Sequence, residues 1–232
     1  MKITKVSDAL DAKTIQYYEE NAPAYYASTV STNMGVIYKR FFKYMVPRGK
    51  ILDVGCGSGR DMKAFKLLGY DVTGFDPSEQ MAHLAAHLIG GPVGIRSARG
   101  IYEVQAYDGI WACASLLHIP REDLDAALRR IAIAAKDKAV FYCSFKRGEV
   151  SWRDDHGRHY TGMTVQGLCQ ALNRNGFYVE DMWQSGGEDN FSGRSNWINA
   201  VSTRRWKGGD HQPADKSRTD PAAAEMEVMA DA

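Results

Sequence analysis

One stretch decides the fold of this 232-residue chain: Ile51-Leu52-Asp53-Val54-Gly55-Cys56-Gly57-Ser58-Gly59-Arg60-Asp61. It begins with a short, mostly apolar run, continues into a loop with glycine at every second position, and passes directly into helical apolar spacing. An apolar run that ends in glycines is typical of a buried strand entering a tight turn. The stretch therefore predicts a strand, a glycine loop and a helix, in that order.

Strands and helices alternate outward from this stretch. Apolar runs predict strands at 51–54, 71–76, 93–95, 109–114, 139–145, 177–183 and 197–203. Helical spacing predicts helices at 60–68, 78–88, 121–135 and 164–175. Parallel neighbours need long crossovers, so this alternation predicts an α/β fold with a mostly parallel, doubly wound sheet. No helix separates the last two strands, which we therefore expect to be antiparallel to each other.

The two ends of the chain differ from this alternating core. Residues 7–45 are rich in Tyr and Phe with helical spacing interrupted at Pro23, which predicts two helices ahead of the sheet. From residue 207 the chain is rich in Gly, Pro, Asp, Ala and Lys without an apolar period, which predicts a disordered tail. We therefore expect a helical cap at 1–48, a ligand-binding domain at 49–206 and a tail at 207–232.

Composition narrows the function classes. A net charge of +1 gives no electrostatic footprint for nucleic acid, which disfavours it as a partner. No apolar run could span a bilayer, the N-terminus lacks the apolar segment of a secretory signal, and the four cysteines form no Cys-x-x-Cys pair. We expect a cytoplasmic monomer or homodimer that does not associate with membranes.

The spacing of acids and glycines indicates the ligand. Gly-x-Gly-x-x-Gly holds a pyrophosphate, whereas Gly55, Gly57 and Gly59 are one residue apart and follow Asp53. Asp53 suits a ligand with positive charge and no phosphate, such as S-adenosylmethionine, which carries an ammonium and a sulfonium. Asp76 ends the second strand, where it can accept hydrogen bonds from ribose hydroxyls of either a dinucleotide or an adenosyl ligand.

These motifs together resemble a known family. Residues 51–61, followed by Gly74-Phe75-Asp76-Pro77-Ser78, resemble class I S-adenosylmethionine-dependent methyltransferases, in particular small bacterial tellurite-resistance-type enzymes. The segment from Tyr107 to Pro120 is similar to that group's fourth strand and the loop after it. The resemblance covers Tyr17 to Arg204 and implies a Rossmann-like, seven-stranded sheet, S-adenosylmethionine as cofactor and methyl transfer as the activity.

The resemblance also implies where the cofactor binds. The implied cofactor-binding residues are Asp53, Gly55, Cys56, Gly57, Gly59, Asp61, Asp76, Pro77, Ser97, Ala114, Ser115, Tyr18 and Tyr26. The tyrosines stand where similar enzymes close a tyrosine over the cofactor. Residues 95–99 lack the carboxylate that commonly contacts adenine in the family, so Ser97 or a backbone carbonyl is expected to replace it.

Polar residues near other strand ends are candidates for the acceptor side. His118 follows the fourth strand and is expected either to contact or deprotonate the methyl acceptor, or to serve in packing or capping. The loops at 154–160 and 186–197 are expected to be substrate-facing lids or solvated loops, with Asp155, His156, Tyr160 and Arg194 as substrate-binding candidates. His83 and His87 lie one helical turn apart without a third ligand nearby, so no metal site is predicted.

The leading hypothesis is therefore methyl transfer from S-adenosylmethionine to a small acceptor. Ala114-Ser115-Leu116-Leu117 replaces the Asn/Asp-Pro-Pro-aromatic motif of enzymes that methylate DNA base amines, which disfavours that chemistry. A small metabolite and a metalloid oxyanion both remain open as acceptors. Two alternatives also remain: an RNA-modifying methyltransferase, and a non-catalytic module that binds S-adenosylmethionine to regulate a partner.

Overall fold

The computed structural model describes residues 11–186 and 196–205 of the chain. The helices are α1 (Ala12–Thr29), α2 (Gly35–Phe42), α3 (Arg60–Leu67), α4 (Glu79–Ile89), α5 (Arg121–Ala134) and α6 (Val165–Arg174). The strands are β1 (Lys50–Val54), β2 (Asp71–Asp76), β3 (Gly94–Ile95), β4 (Tyr107–Ala112), β5 (Ala135–Lys146), β6 (Ser151–Arg153), β7 (His159–Thr161), β8 (Phe177–Ser185) and β9 (Trp197–Arg204). Every predicted strand and helix of the alternating core is present, with ends shifted by up to four residues.

A seven-stranded sheet forms the centre of the fold, in the order β3-β2-β1-β4-β5-β9-β8. The strands from β3 to β5 are parallel, and β9 runs antiparallel to both of its neighbours. The predicted α/β, mostly parallel, seven-stranded fold with antiparallel final strands is therefore confirmed. The chain passes from β1 outward to β2 and later to β4 on the opposite side, and ligands bind at such a reversal point in open α/β sheets.

Both faces of the sheet are covered by apolar side chains. Alternate residues of a strand point to opposite faces. On one face Trp111 and Tyr142 stack at a ring-centroid distance of 4.0 Å and pack beneath Phe41 and Phe65. The other face carries Phe141 against α5 and α6. Because the central strands are buried on both sides, they are apolar along most of their length, which is why the sequence reveals them.

The two helices predicted ahead of the sheet are present as α1 and α2, but two other predictions of local structure are wrong. The break between these helices is not at Pro23, because α1 continues through it and the chain leaves the helix only at residues 30–34. Pro23 is exposed, so its missing N–H costs the helix one hydrogen bond but no core contact. The polar segment after β5, expected to be a loop, contains an antiparallel hairpin of β6 and β7.

The described residues contain no helix that is both long and apolar enough to cross a membrane. The predicted tail at 207–232 lies outside the described residues.

Candidate functional site

A cavity of about 360 Å³ lies along the carboxyl edge of the parallel strands, beneath α1. Its volume falls within the range of small-molecule sites. One end is formed by the glycine loop and the end of β2, with Gly55, Cys56, Gly57, Asp76, Pro77 and Ala98. The other end is formed by the second half of β5, the last residue of β8 and the first residues of β9, with Tyr142, Ser144, Ser185, Trp197 and Asn199. Ala114, Ser115 and His118 lie between them, and Tyr18 and Tyr25 cover the cavity from α1.

Asp76 is placed to accept hydrogen bonds from the hydroxyl groups of a ligand. One carboxylate oxygen accepts the N–H of Gly57 and the other accepts the N–H of Ser78, both at 2.9 Å. A carboxylate has about four acceptor positions, so two remain for a ligand in the cavity. Burial raises the pKa of Asp76 to about 6, although both N–H groups favour the ionised form. Two hydroxyls on neighbouring carbons, as in a ribose, match the two remaining positions.

Asp53 is a buried carboxylate that lacks a partner. Its Oδ2 is buried without a hydrogen bond to any residue in the described part of the chain. Burial raises the pKa of Asp53, and the carboxylates of Asp61 and Asp76 raise it further. Asp53 does not itself line the cavity but precedes the loop that does. A cation bound at the loop would favour its ionised form, so the expected preference for a positively charged ligand fits this end of the cavity.

Asp61 is engaged by other residues of the protein. Its two oxygens accept from the Tyr38 hydroxyl, from Arg60 at 2.7 and 2.9 Å, and from the Trp111 indole at 2.8 Å. These four hydrogen bonds fill its acceptor positions. Asp61 lines the cavity, but its acceptor positions are occupied by residues of the protein, so its direct contact with the cofactor stays a prediction. Its partners are distant in sequence, so no local pattern reveals them.

The three loop glycines all have positive φ but serve different purposes. A Cβ at Gly57 would have only the Tyr25 ring nearby, at 4.0 Å, so it would extend into open cavity space. A Cβ at Gly55 would lie 2.6 Å from that of Ser115, and one at Gly59 would lie 3.0 Å from Ala85. Gly57 therefore lets the backbone approach a ligand, whereas the other two permit close packing. Gly59 does not line the cavity, contrary to its prediction as a cofactor-binding residue.

Two further cofactor predictions are displaced by one residue. Tyr26 does not line the cavity, whereas Tyr25 does, because neighbouring helical residues point about 100° apart. Ser97 does not line it either, and Ala98 takes its place at the start of a short 3₁₀ turn. Nine of the predicted positions do line it: Gly55, Cys56, Gly57, Asp61, Asp76, Pro77, Ala114, Ser115 and Tyr18.

His118 is buried between α1 and the β6–β7 hairpin. Its Nε2 lies 2.9 Å from the Tyr18 hydroxyl and its Nδ1 lies 2.6 Å from the His159 carbonyl oxygen. Burial lowers the pKa of His118 to about 4. Both ring nitrogens have partners, so any proton that His118 exchanges with a bound molecule must pass through Tyr18.

The hairpin holds α1 and does not line the cavity. Asp155 and His156 are exposed at its tip, and neither they nor Tyr160 line the cavity. The prediction that these residues bind substrate directly is therefore not supported by their placement, because the hairpin faces α1. Tyr160 packs against His118 with the ring centroids 4.9 Å apart. Arg194, the fourth substrate candidate, lies outside the described residues.

The far end of the cavity was not predicted. The Tyr142 hydroxyl donates to Oδ1 of Asn199 at 2.8 Å, and Nδ2 of Asn199 donates to the Ser185 hydroxyl at 2.9 Å. Ser144 accepts the Ala114 N–H at 2.8 Å. The available signal is a polar residue within an apolar strand, as at Ser144 and Asn199, but only the sheet order shows that β9 lies beside β5. In the described part of the chain, no three His, Cys, Asp or Glu side chains are grouped to hold a metal.

The chain shares its sequence family and its fold with known proteins. A family profile described as a methyltransferase domain matches residues 26–181. No curated protein sequence matches the chain. Among solved structures, the Burkholderia thailandensis 1,6-didemethyltoxoflavin-N1-methyltransferase, with 1,6-didemethyltoxoflavin and S-adenosylhomocysteine bound, has a TM-score of 0.69 at 16% identity, covering 89% of this chain and 94% of that one.

Two other solved structures have the same fold. The magnesium protoporphyrin IX methyltransferase of Synechocystis PCC 6803, with S-adenosylmethionine bound, has a TM-score of 0.63 at 19% identity and covers 86% of this chain and 100% of that one. The [4+2]-cyclase SpnF has a TM-score of 0.66 at 17% identity and covers 86% and 98%. One of these is named for a cyclisation, so the fold by itself does not decide the reaction.

Proposed function

Since this chain belongs to the methyltransferase-domain family, we propose that it transfers a methyl group from S-adenosylmethionine to a small-molecule acceptor. The observation that carries the proposal is the two-ended cavity, with the acids and glycines of β1 and β2 at one end and a neutral polar strip at the other. The neighbours from Burkholderia and Synechocystis, named for small-molecule methylation, support it. Membership of the tellurite-resistance-type group stays a prediction.

The cofactor occupies the end formed by the glycine loop. Asp76 would accept the two ribose hydroxyls, the backbone at Gly57 would lie against the ligand, and Ala98 would be available to the adenine, because all three residues line this end. Asp53 favours the positive charge of the methionine ammonium through the loop. When bound there, S-adenosylmethionine supplies a methyl group made electrophilic by the sulfonium.

The acceptor occupies the end near β5 and β9. Tyr142, Ser144 and Asn199 offer hydroxyl and amide groups to a polar molecule there. Helix α1 covers both ends through Tyr18 and Tyr25, which limits access for water and for large acceptors. The chain then contributes to the rate mainly by aligning the two reactants.

A fractionated acceptor screen tests this proposal. The protein is incubated with S-adenosylmethionine and a cell extract divided into small-molecule, RNA and protein fractions, and S-adenosylhomocysteine is measured by mass spectrometry. We expect product with the small-molecule fraction, and none with that fraction for Asp76→Ala. Product with the RNA fraction alone would favour the RNA-modifying alternative. Cofactor binding without product from any fraction would favour the non-catalytic module.

The cytoplasmic location, the monomeric or homodimeric state and the 1–48 and 49–206 division also stay proposals. Size-exclusion chromatography with light scattering tests the oligomeric state. Limited proteolysis tests whether the chain is cleaved near residue 48.

A further inference from the structure

Tyr18, His118 and the His159 backbone form a chain of hydrogen bonds beside the cavity. A carbonyl oxygen can only accept, so Nδ1 of His118 carries a proton toward His159. The neutral ring then accepts the Tyr18 hydroxyl at Nε2. Because the Tyr18 proton is directed to His118, the oxygen of Tyr18 can accept hydrogen bonds, from Arg158 of the protein as well as from a molecule in the cavity, which Tyr18 lines.

This pair lies between the two ends of the cavity. His118 follows β4, whereas Asp76 follows β2, on the opposite side of β1. The titratable and charged groups around the Tyr18–His118 pair are Tyr25 from α1 and Asp154, Arg158, His159 and Tyr160 from the hairpin. Asp154 and Arg158 form an ion pair at 2.7 Å, so they largely neutralise each other. Burial lowers the pKa of His118 to about 4, which leaves Nε2 unprotonated at neutral pH.

We propose that Tyr18 is a catalytic residue that takes a proton from the methyl acceptor, and that His118 is a positioning residue that takes the proton of Tyr18. The inference rests on the proposed function and names its acceptor class, a small uncharged molecule with a weakly acidic O–H, such as a phenol or an enol. The uncharged lining formed by Tyr142, Ser144 and Asn199 fits such an acceptor.

The acceptor O–H bond breaks, and the proton moves to the Tyr18 oxygen while the proton of Tyr18 moves to Nε2 of His118. The acceptor oxygen forms a bond to the methyl carbon, and the carbon–sulfur bond breaks with its electron pair left on sulfur. The positive charge lost by the sulfonium is therefore carried by the imidazolium, which returns its proton to water after the product leaves.

A purely structural role for the same contacts must be distinguished from this one. Tyr18 and His118 also join α1 to the hairpin, so their loss could loosen the site without any effect on proton transfer. Two phenolic acceptors separate the roles. At mildly alkaline pH 4-nitrophenol is already ionised and needs no proton acceptor, whereas 4-methoxyphenol remains protonated.

The experiment compares kcat and KM for both phenols at saturating S-adenosylmethionine. Tyr18→Phe and His118→Gln should lower kcat for 4-methoxyphenol by about 100-fold, the lower end of general-base contributions, and change kcat for 4-nitrophenol by less than about threefold. Tyr17→Phe, one residue earlier on α1 and outside the cavity, should leave both unchanged. Calorimetry with S-adenosylhomocysteine should show unchanged cofactor affinity for all three variants.

Several outcomes would overturn the inference. An equal loss of kcat for both phenols would assign the pair a structural role. No methylation of either phenol, with S-adenosylmethionine still bound, would exclude the acceptor class. Failure to bind S-adenosylmethionine would instead refute the proposed function. Independently of any acceptor, ¹⁵N NMR should show Nε2 of His118 unprotonated at neutral pH and shifted in Tyr18→Phe, and a protonated Nε2 would contradict the relay.

Discussion

At the scale of single residues, the site separates groups with free capacity from groups already satisfied. Asp76 has two open acceptor positions, whereas Asp61 has none. Gly57 faces open space, whereas Gly55 and Gly59 face neighbouring backbone and side chains. The sequence places all five residues in or near one motif but cannot show this division, because the competing partners come from distant parts of the chain.

Adding a methyl group at Gly57 tests the backbone approach. Gly57→Ala should weaken S-adenosylhomocysteine binding by at least about tenfold, or 1.4 kcal/mol, because the Cβ would occupy ligand space. Its φ of +54° adds a backbone cost of about 1–2 kcal/mol to folding. Gly69→Ala is the matched control, because Gly69 also has positive φ but its Cβ would contact nothing within 4 Å. Calorimetry and urea unfolding of both variants should show similar stability and different affinity; equal affinity would place the ligand elsewhere.

The titration of Asp76 predicts a pH dependence of binding. Because burial raises the pKa of Asp76 to about 6 in the fold, the free protein favours its protonated form below that pH, and ionising it costs stability as the pH rises toward 6. Ribose hydroxyls donate to the ionised form, so affinity for S-adenosylhomocysteine should rise with pH through about 6 and then level off.

Asp76→Asn should remove the rise of affinity with pH. Above pH 6 it should weaken binding by about 1.5–3 kcal/mol, the usual contribution of hydrogen bonds to a charged group. Asp108→Asn is the control. Asp108 forms an ion pair with Lys136 at 2.9 Å, and its hydrogen bonds lower its pKa by more than burial raises it, so it does not titrate near pH 6. Calorimetry across the pH range is the measurement. A pH dependence that survives in Asp76→Asn would assign the titration to another group.

At the scale of elements, α1 is a cover held mostly by polar contacts. Of its residues, Thr14 and Ala22 are buried. Asp11 forms a bidentate ion pair with Arg153 of the hairpin, and Thr14 accepts the His159 N–H at 2.8 Å. At its other side, Glu19 accepts the first N–H groups of α4. The sequence predicts a helical cap here but not its attachments, because the hairpin and the α4 contact depend on tertiary placement.

Loss of the Glu19 contact should loosen this cover. Glu19→Ala leaves two N–H groups at the start of α4 without a protein acceptor. Removal of a helix N-cap acceptor typically lowers stability by about 1 kcal/mol, and we expect a similar loss in the attachment of α1 to α4. We expect amide hydrogen exchange in α1 to become about fivefold faster, with exchange in the central strands unchanged. Glu20→Ala, whose side chain contacts Gln16 on the same helix, is the control and should leave α1 exchange unaltered. Equal exchange in both variants would show that Glu19 does not hold α1.

At the scale of the whole molecule, the sheet order brings the two ends of the cavity together. Most of the cofactor end is built from residues close in sequence, from β1 to the start of α4, so the local motif predicts it; Ala98 and Tyr25 come from outside this segment. The acceptor end combines β5 with β8 and β9, whose adjacency no local pattern encodes. The fold was largely predictable because buried parallel strands are apolar along their length, whereas the hairpin, with short, mostly polar strands, was not.

Calorimetry with S-adenosylmethionine, S-adenosylhomocysteine and NAD tests which adenosine-containing ligand the cavity binds. The two-ended cavity combines a diol acceptor at Asp76 with the buried, unpartnered carboxylate of Asp53, which suits a positively charged adenosyl ligand and opposes a pyrophosphate. Both adenosyl ligands should bind, and NAD should not. Binding of NAD without binding of either adenosyl ligand would contradict it.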